Sequence, residues 1–442
     1  CPSNGIYSVE TAFDTLEKIN CTNVNQGIYL AKNSSSNDIK NCNISKFSTN
    51  GIRINESTVK NIDGFKISAS SKSGTNGIYV TGSSKVNAIS NNEITNCLRD
   101  MYLFESTING NINQNTIKTS SMGIYVTNTK VNGSIINNTI DTFDDSGVQL
   151  YTGSSITGKI ANNTITNGKG TAILLTGPTS TNNGCSVGNI EGNTITKCTG
   201  DGIGIYHGSH CGEIIKNTLD TIGGNHNGGD GDYAIIVDSN MKANTYCTRI
   251  ANNIIKNVTY AGIAVYSGPA GSFDNKFQDT AYVAKNIENN TLTNCGTYNH
   301  STNWTKESKK GCLSGIYVDT HARVKGDICN NTVDKTGEHG IYIHLCSYVN
   351  RIYNNIVKNN VEAGIQIYHS TVLSSIDNNK IYTSGTHGIA VADSSVVKGA
   401  INSNLIETAG TNGIYMITST LASITNNTLN NIKGRSEERR VG

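Results

Sequence analysis

A four-residue frame, written most often Gly-Ile-Tyr-Val, recurs through this 442-residue chain, and its spacing limits the fold more than any other feature. Glycine or a small substitute opens the frame at positions 5, 27, 51, 77, 123, 147, 172, 202, 234, 262, 315, 340, 364, 388 and 413, and Asp100 opens a degenerate copy, DMYLFES. About sixteen copies follow one another at a usual step of 22 to 26 residues. That period is too short for a propeller blade and lacks the helix pattern of tetratricopeptide or ankyrin units. Within one copy, VNGSIINNTIDTFDDSGVQLYTGSS (131 to 155), apolar residues alternate through Ile135, Ile140, Val148 and Leu150. Alternation of period two marks strands. Three short strands separated by turns give one coil per repeat, with inward Ile, Val and Leu stacked from coil to coil as the core.

Asparagine doublets recur before the third strand, at 91–92, 137–138, 162–163, 252–253, 330–331, 378–379 and 426–427. Asn tolerates the left-handed bend between two strands, and stacked amides can pass hydrogen bonds along a ladder, so the doublets read as structural. They are set aside as glycan acceptors because a stacked ladder buries its amides. Composition agrees: 46 Gly with 3 Pro, 1 Trp and 15% charged residues suit many turns and short strands.

A formal charge of +2 without long blocks of either sign gives no reason to expect a nucleic-acid partner. No apolar run approaches the length of a membrane-spanning helix. The twelve cysteines are scattered along the repeats without zinc-type spacing and read as buried, reduced ladder residues, except that Cys295 and Cys312 bracket a long insertion and could close it. Residues 435–442, RSEERRVG, match the in-frame translation of a common short-read sequencing adapter and are excluded from fold reasoning. The chain, which opens at Cys1, is therefore expected to be a fragment of a larger surface protein, lacking its natural ends.

The xIxNNxIxN…GIxV pattern over residues 1–434 resembles the right-handed parallel β-helix proteins, the pectate lyase-like superfamily. The resemblance implies an all-β, right-handed parallel β-helix of about sixteen coils. It also implies a bacterial, extracellular or surface-displayed monomer that engages polysaccharide along a groove lined by the GIxV strand. The superfamily includes lyases, hydrolases, epimerases, tailspikes and adhesins, so the fold alone does not select a reaction.

Two signals place chemistry in the later coils. Turns lengthen at 176 to 185, 221 to 233, 239 to 247, 266 to 280 and 296 to 311, and loops clustered on a rigid scaffold make binding sites. All nine histidines fall between His207 and His387. In GIYIH (340 to 344), Ile341 and Ile343 should face inward, leaving Tyr342 and His344 on the groove. The His344 column reads Tyr206, Asp238, Tyr266, Asp319, His344 and Tyr368, whereas early coils put Ala31, Thr81 and Thr127 there. Coils about 4.8 Å apart let Asp319 hydrogen-bond His344 and set Asp238 roughly 9 to 10 Å from Asp319. Asp201, His207, Tyr317, His339 and His369 flank the column and are expected, with Tyr206, Tyr266 and Tyr342, to contact substrate.

Two reactions suit this set. In β-elimination from a uronic acid, Arg323 or a bound cation such as Ca2+ neutralises the sugar carboxylate while His344 or Tyr368 removes the C5 proton and Asp319 orients the imidazole. In inverting hydrolysis, Asp238 and Asp319 act as acid and base across the bond. The polygalacturonase motifs match poorly: Asp201 and Asp232 fall near two of their aspartates, but Ala261 stands where a histidine is required, and Tyr317 and Asp319 stand where Arg and Lys are required. A non-catalytic alternative rests on the outward tyrosines Tyr7, Tyr29, Tyr79, Tyr102, Tyr125, Tyr317, Tyr342 and Tyr415, whose rings at coil spacing could bind sugar.

Overall fold

A computed structural model describes residues 3–178, 183–224, 232–239, 243–268, 281–297 and 313–434. Among these residues every named element is a strand. The chain forms two compact units, Cys1–Thr218 and Leu219–Gly442, both wound from the same coil.

In the first unit the frame strands Ile6–Val9, Gln26–Ala31, Asn50–Asn55, Asn76–Thr81 and Arg99–Phe104 pair in parallel and in that order. In the second, Ile235–Asp238, Ile263–Tyr266, Ile316–Asp319, Ile341–His344, Ile365–Tyr368, His387–Ala392 and Asn412–Ile417 do the same. A second sheet collects the strand that follows each frame, such as Arg323–Val324 and Tyr348–Val349. The chain turns from one sheet to the next through left-handed residues, for example Thr320 (φ 48°) with His321 (φ 61°) and Leu345 (φ 44°) with Cys346 (φ 57°).

The inward columns match the alternation. Ile316, Val318, Ile341, Ile343, Ile365 and Ile367 are fully buried, each contributing roughly 1.5–3 kcal/mol. Frame glycines exist because the coils stack closely at this corner: a Cβ on Gly340 would stand 2.6 Å from the carbonyl oxygen of Gly364 and 2.2 Å from a Val357 methyl.

The asparagine doublet divides its two tasks. The first residue makes the bend, as Asn137 and Asn330 do at φ 56°, and the second enters the ladder. In the second unit Asn290, Asn331, Asn355, Asn379 and Asn404 each donate from Nδ2 to the next Oδ1 at 2.9–3.0 Å. In the first unit Asn115 and Asn193 pass the same bond to Asn138 and Asn217, with Gln114, Gly192 and Lys216 making the bend, as Ser403 does before Asn404 in the second. The ladder buries the amide of the second Asn of the doublet, not that of the first. In Asn-Asn-Thr the acceptor position is the bend residue, and Asn137 is exposed.

The ten cysteines among the described residues are free, and nine are buried. Cys295 is one of them, its thiol pushed up to about 12 by burial. Cys312, its expected partner, lies outside the described residues.

Candidate functional site

The register that pairs Val318 with Ile343 sets Asp319 beside His344 on the outward face of the frame strands. Their contact is direct: Nδ1 of His344 lies 2.9 Å from Oδ1 of Asp319. The other carboxylate oxygen, Oδ2, accepts the hydroxyl of Tyr317 at 2.5 Å. A phenol next to a carboxylate can only donate, and both carboxylate oxygens are then acceptors, so Nδ1 of His344 carries the proton that it donates to Oδ1. In that tautomer the ring lone pair is on Nε2, which has no protein partner among the described residues. The Asp319 side chain is 1% exposed and that of His344 14%, so the carboxylate is sealed while the imidazole reaches solvent.

Aromatic rings pack around this dyad. Tyr342 lies 4.8 Å and Tyr368 5.5 Å from the His344 ring, centroid to centroid. Burial, reinforced by the Asp319 charge, pushes the Tyr342 phenol well above its ordinary value. Burial, then the charge and hydrogen bond of Asp393, raises Tyr368 as well. Both phenols therefore hold their protons near neutrality, and of the two candidate bases the imidazole fits proton abstraction better than Tyr368.

His339 plays a different part. Its Nδ1 accepts the backbone N–H of Ala363 at 3.2 Å, and its Nε2 faces Glu362 at 3.2 Å. Both nitrogens are occupied, and burial lowers its pKa to about 3. Glu362 pulls the other way, but that carboxylate is solvent-exposed and screened. His339 is thus a neutral packing residue beneath Tyr342, whose ring is 4.5 Å away. Glu362 and Asp393 went unnoticed in the sequence. Asp393 stands directly after Ala392, which pairs with Tyr368, and that position was the available signal.

Several expected members stand elsewhere. Arg323 opens a strand of the second sheet, with its guanidinium 5.0 Å from the Tyr348 ring centroid, because the Thr320–His321 bend has already turned the chain off the groove face. Asp238 does share the column, but Tyr266 lies in register between it and Asp319. With both oxygens of Asp319 engaged and its side chain sealed, the acid/base pair of the hydrolase reading lacks an available partner. His369 lies at a left-handed turn, its Nδ1 3.4 Å from Asp393. In the first unit the Tyr206 hydroxyl donates to Asp201 at 2.5 Å, and Nδ1 of His207 lies 3.0 Å from the Thr176 hydroxyl. His226, His300 and most of the lengthened turns lie outside the described residues.

Part of the tyrosine column is self-stacked. Tyr79, Tyr102 and Tyr125 follow at 4.9 and 5.3 Å, and the Arg53 guanidinium lies 4.8 Å from Tyr29 and 5.6 Å from Tyr79. Ring faces that cover one another present only their edges outward, a poor platform for stacking sugars. Among the described residues no three His, Cys, Asp or Glu side chains converge as a metal site.

Parallel strands stacked one coil above another, with inward aliphatic columns, define a parallel β-helix. The chain belongs to the right-handed β-helix family, whose model, described as a right handed beta helix region, matches residues 26–187, 76–244 and 221–394. No curated protein matches the chain. Family membership accounts for the scaffold, and the chemistry has to be argued from the dyad.

Proposed function

We propose that the protein is an extracellular polysaccharide lyase that cleaves uronate-containing glycan by β-elimination, with His344 as the general base. One observation carries the proposal: both oxygens of Asp319 are engaged, by Tyr317 and by His344, and the contact through Nδ1 leaves Nε2 of a part-exposed imidazole on the groove strand to meet substrate. In the proposed step Nε2 takes the C5 proton of the uronate. The C5–H electron pair forms the C4=C5 double bond, the C4–O bond breaks, and the departing oxygen is protonated by solvent. Proton transfer to a well-placed general base contributes roughly 10²–10⁴-fold, and the buried Asp319 carboxylate stabilises the imidazolium that results. Arg323 is given no part in neutralising the sugar carboxylate, since its guanidinium lies over Tyr348.

Incubating the protein with a panel of uronate polymers and following absorbance of the unsaturated product tests this directly. Activity on one polymer that His344→Ala abolishes supports the proposal. Silence across the panel, with EDTA-treated and Ca2+-supplemented arms alike, rejects the lyase. New reducing ends without the absorbance band would point to hydrolysis, and retention in polysaccharide affinity gels without cleavage would point to a binding protein.

A further inference from the structure

Resting on the lyase reading, we infer that Tyr317 is a positioning residue whose hydroxyl fixes the rotation of Asp319 and thereby aims His344. Tyr317 and Asp319 are two apart on the strand Ile316–Asp319, so both point outward and the phenol lies along the carboxylate. Among the described residues its hydroxyl is the one hydrogen-bond partner of Oδ2, at 2.5 Å, and His344 that of Oδ1.

The same hydroxyl stands 3.4 Å from Nδ1 of His344, so one phenol proton has two possible acceptors. The shorter contact takes it. Donation to Oδ2 leaves Nδ1 to carry its own proton, which selects the tautomer with Nε2 available to substrate. Without the hydroxyl, Oδ2 would be a buried carboxylate oxygen lacking a partner. The carboxylate would then turn about its χ2 to share Nδ1–H between both oxygens, and the imidazole would follow.

Tyr317 is 2% exposed, which withdraws it from direct substrate contact and makes the hydroxyl its functional part. Its ring packs 5.6 Å from Tyr342, a contact that Phe would preserve.

The test compares wild type with Tyr317→Phe in two readouts. On the polymer found active, kcat should fall roughly 10- to 100-fold, the range for a hydrogen bond to a charged group, with KM unchanged. In ¹⁵N-labelled protein without substrate, the wild-type imidazole of His344 should report an Nδ1–H tautomer with a slowly exchanging proton, and Tyr317→Phe should mix the tautomers and speed exchange. Unchanged kcat together with an unchanged Nδ1–H signal overturns the inference. If no polymer is cleaved, the lyase reading fails, while the imidazole spectrum still decides whether Tyr317 holds the dyad. Should Tyr317→Phe not fold, 3-fluorotyrosine at position 317 replaces it. Altered donor strength must then shift the Nδ1–H resonance, and an unshifted resonance refutes the positioning role.

Discussion

Asp100 stands where other copies of the frame carry a glycine or alanine, and its substitution by Asn should cost less stability at pH 7 than at pH 4. The side chain is fully buried. One oxygen accepts the Cys97 N–H at 3.3 Å, while among the described residues Oδ2 makes no hydrogen bond of good geometry and has only the nearby buried Ser120 hydroxyl and Cys97 thiol to face. Burial raises the Asp100 pKa well above its ordinary value. The Cys97 thiol and backbone N–H, the Ser120 hydroxyl and the Lys72 charge oppose the shift without reversing it. The folded state therefore keeps a proton that the unfolded chain releases above about pH 3.9. Full stability is present below that pH and is lost progressively above it until the folded carboxyl ionises. Asn escapes that loss but buries an amide lacking a full set of partners, at about 1–3 kcal/mol. Asp100→Asn should thus destabilise by about 1–3 kcal/mol at pH 4 and by less at pH 7, where the wild type has lost stability that the amide keeps. Guanidinium unfolding at both pH values measures the difference. An equal change at both would mean that Asp100 is ionised in the fold, contrary to its sealed position.

Three further outcomes are expected. Asn331→Ala removes donors to Asn355 Oδ1 and Ile287 O and strands the Asn290 groups that bond to Asn331 Oδ1; at about 1–3 kcal/mol per unpaired buried group, chemical unfolding should show a loss of several kcal/mol, and a loss below about 1 kcal/mol would discount the ladder. His339, with a folded pKa of about 3 against an unfolded 6.5, gives stability that is present above pH 6.5 and lost as pH falls toward 3, roughly 2 kcal/mol by pH 5. His339→Gln should flatten that acid limb in a pH series of unfolding curves, and an unaltered slope would assign it to other groups. Asp319→Asn keeps the size of the side chain but loses its charge and can offer Nδ1 a donor in place of an acceptor, so kcat for elimination should drop roughly 10²–10⁴-fold; undiminished turnover would remove Asp319 from the site.

The scaffold was legible because its two periods are simple. A step of 22 to 26 residues places the copies one above another, and alternation within GIYIH assigns Ile341 and Ile343 inward and Tyr342 and His344 outward. Once those facings hold, coil spacing alone brings Asp319 to His344. Arg323 escaped the same logic because four residues along a β-helix can cross a corner: left-handed Thr320 and His321 carry the chain onto another sheet. Burial depth was also hidden. His339 precedes a frame glycine, where packing against Tyr342, Ala363 and Glu362 decides its state, and nothing in EHGIY announces those neighbours. Ladder residues such as Asn193 and Asn217 were missed because the doublet is not the signal; the bend tolerates Gly192 or Lys216, and only the second position must be Asn to continue the amide chain.

The most direct test follows the C5 hydrogen itself, using uronate polymer deuterated at C5 as substrate. If Nε2 of His344 abstracts that hydrogen, deuterium should leave the polymer in step with the appearance of unsaturated ends, and both should cease in His344→Ala. Chain cleavage with deuterium retained at C5, or polymer held intact without exchange, would contradict the role given to the Asp319–His344 dyad.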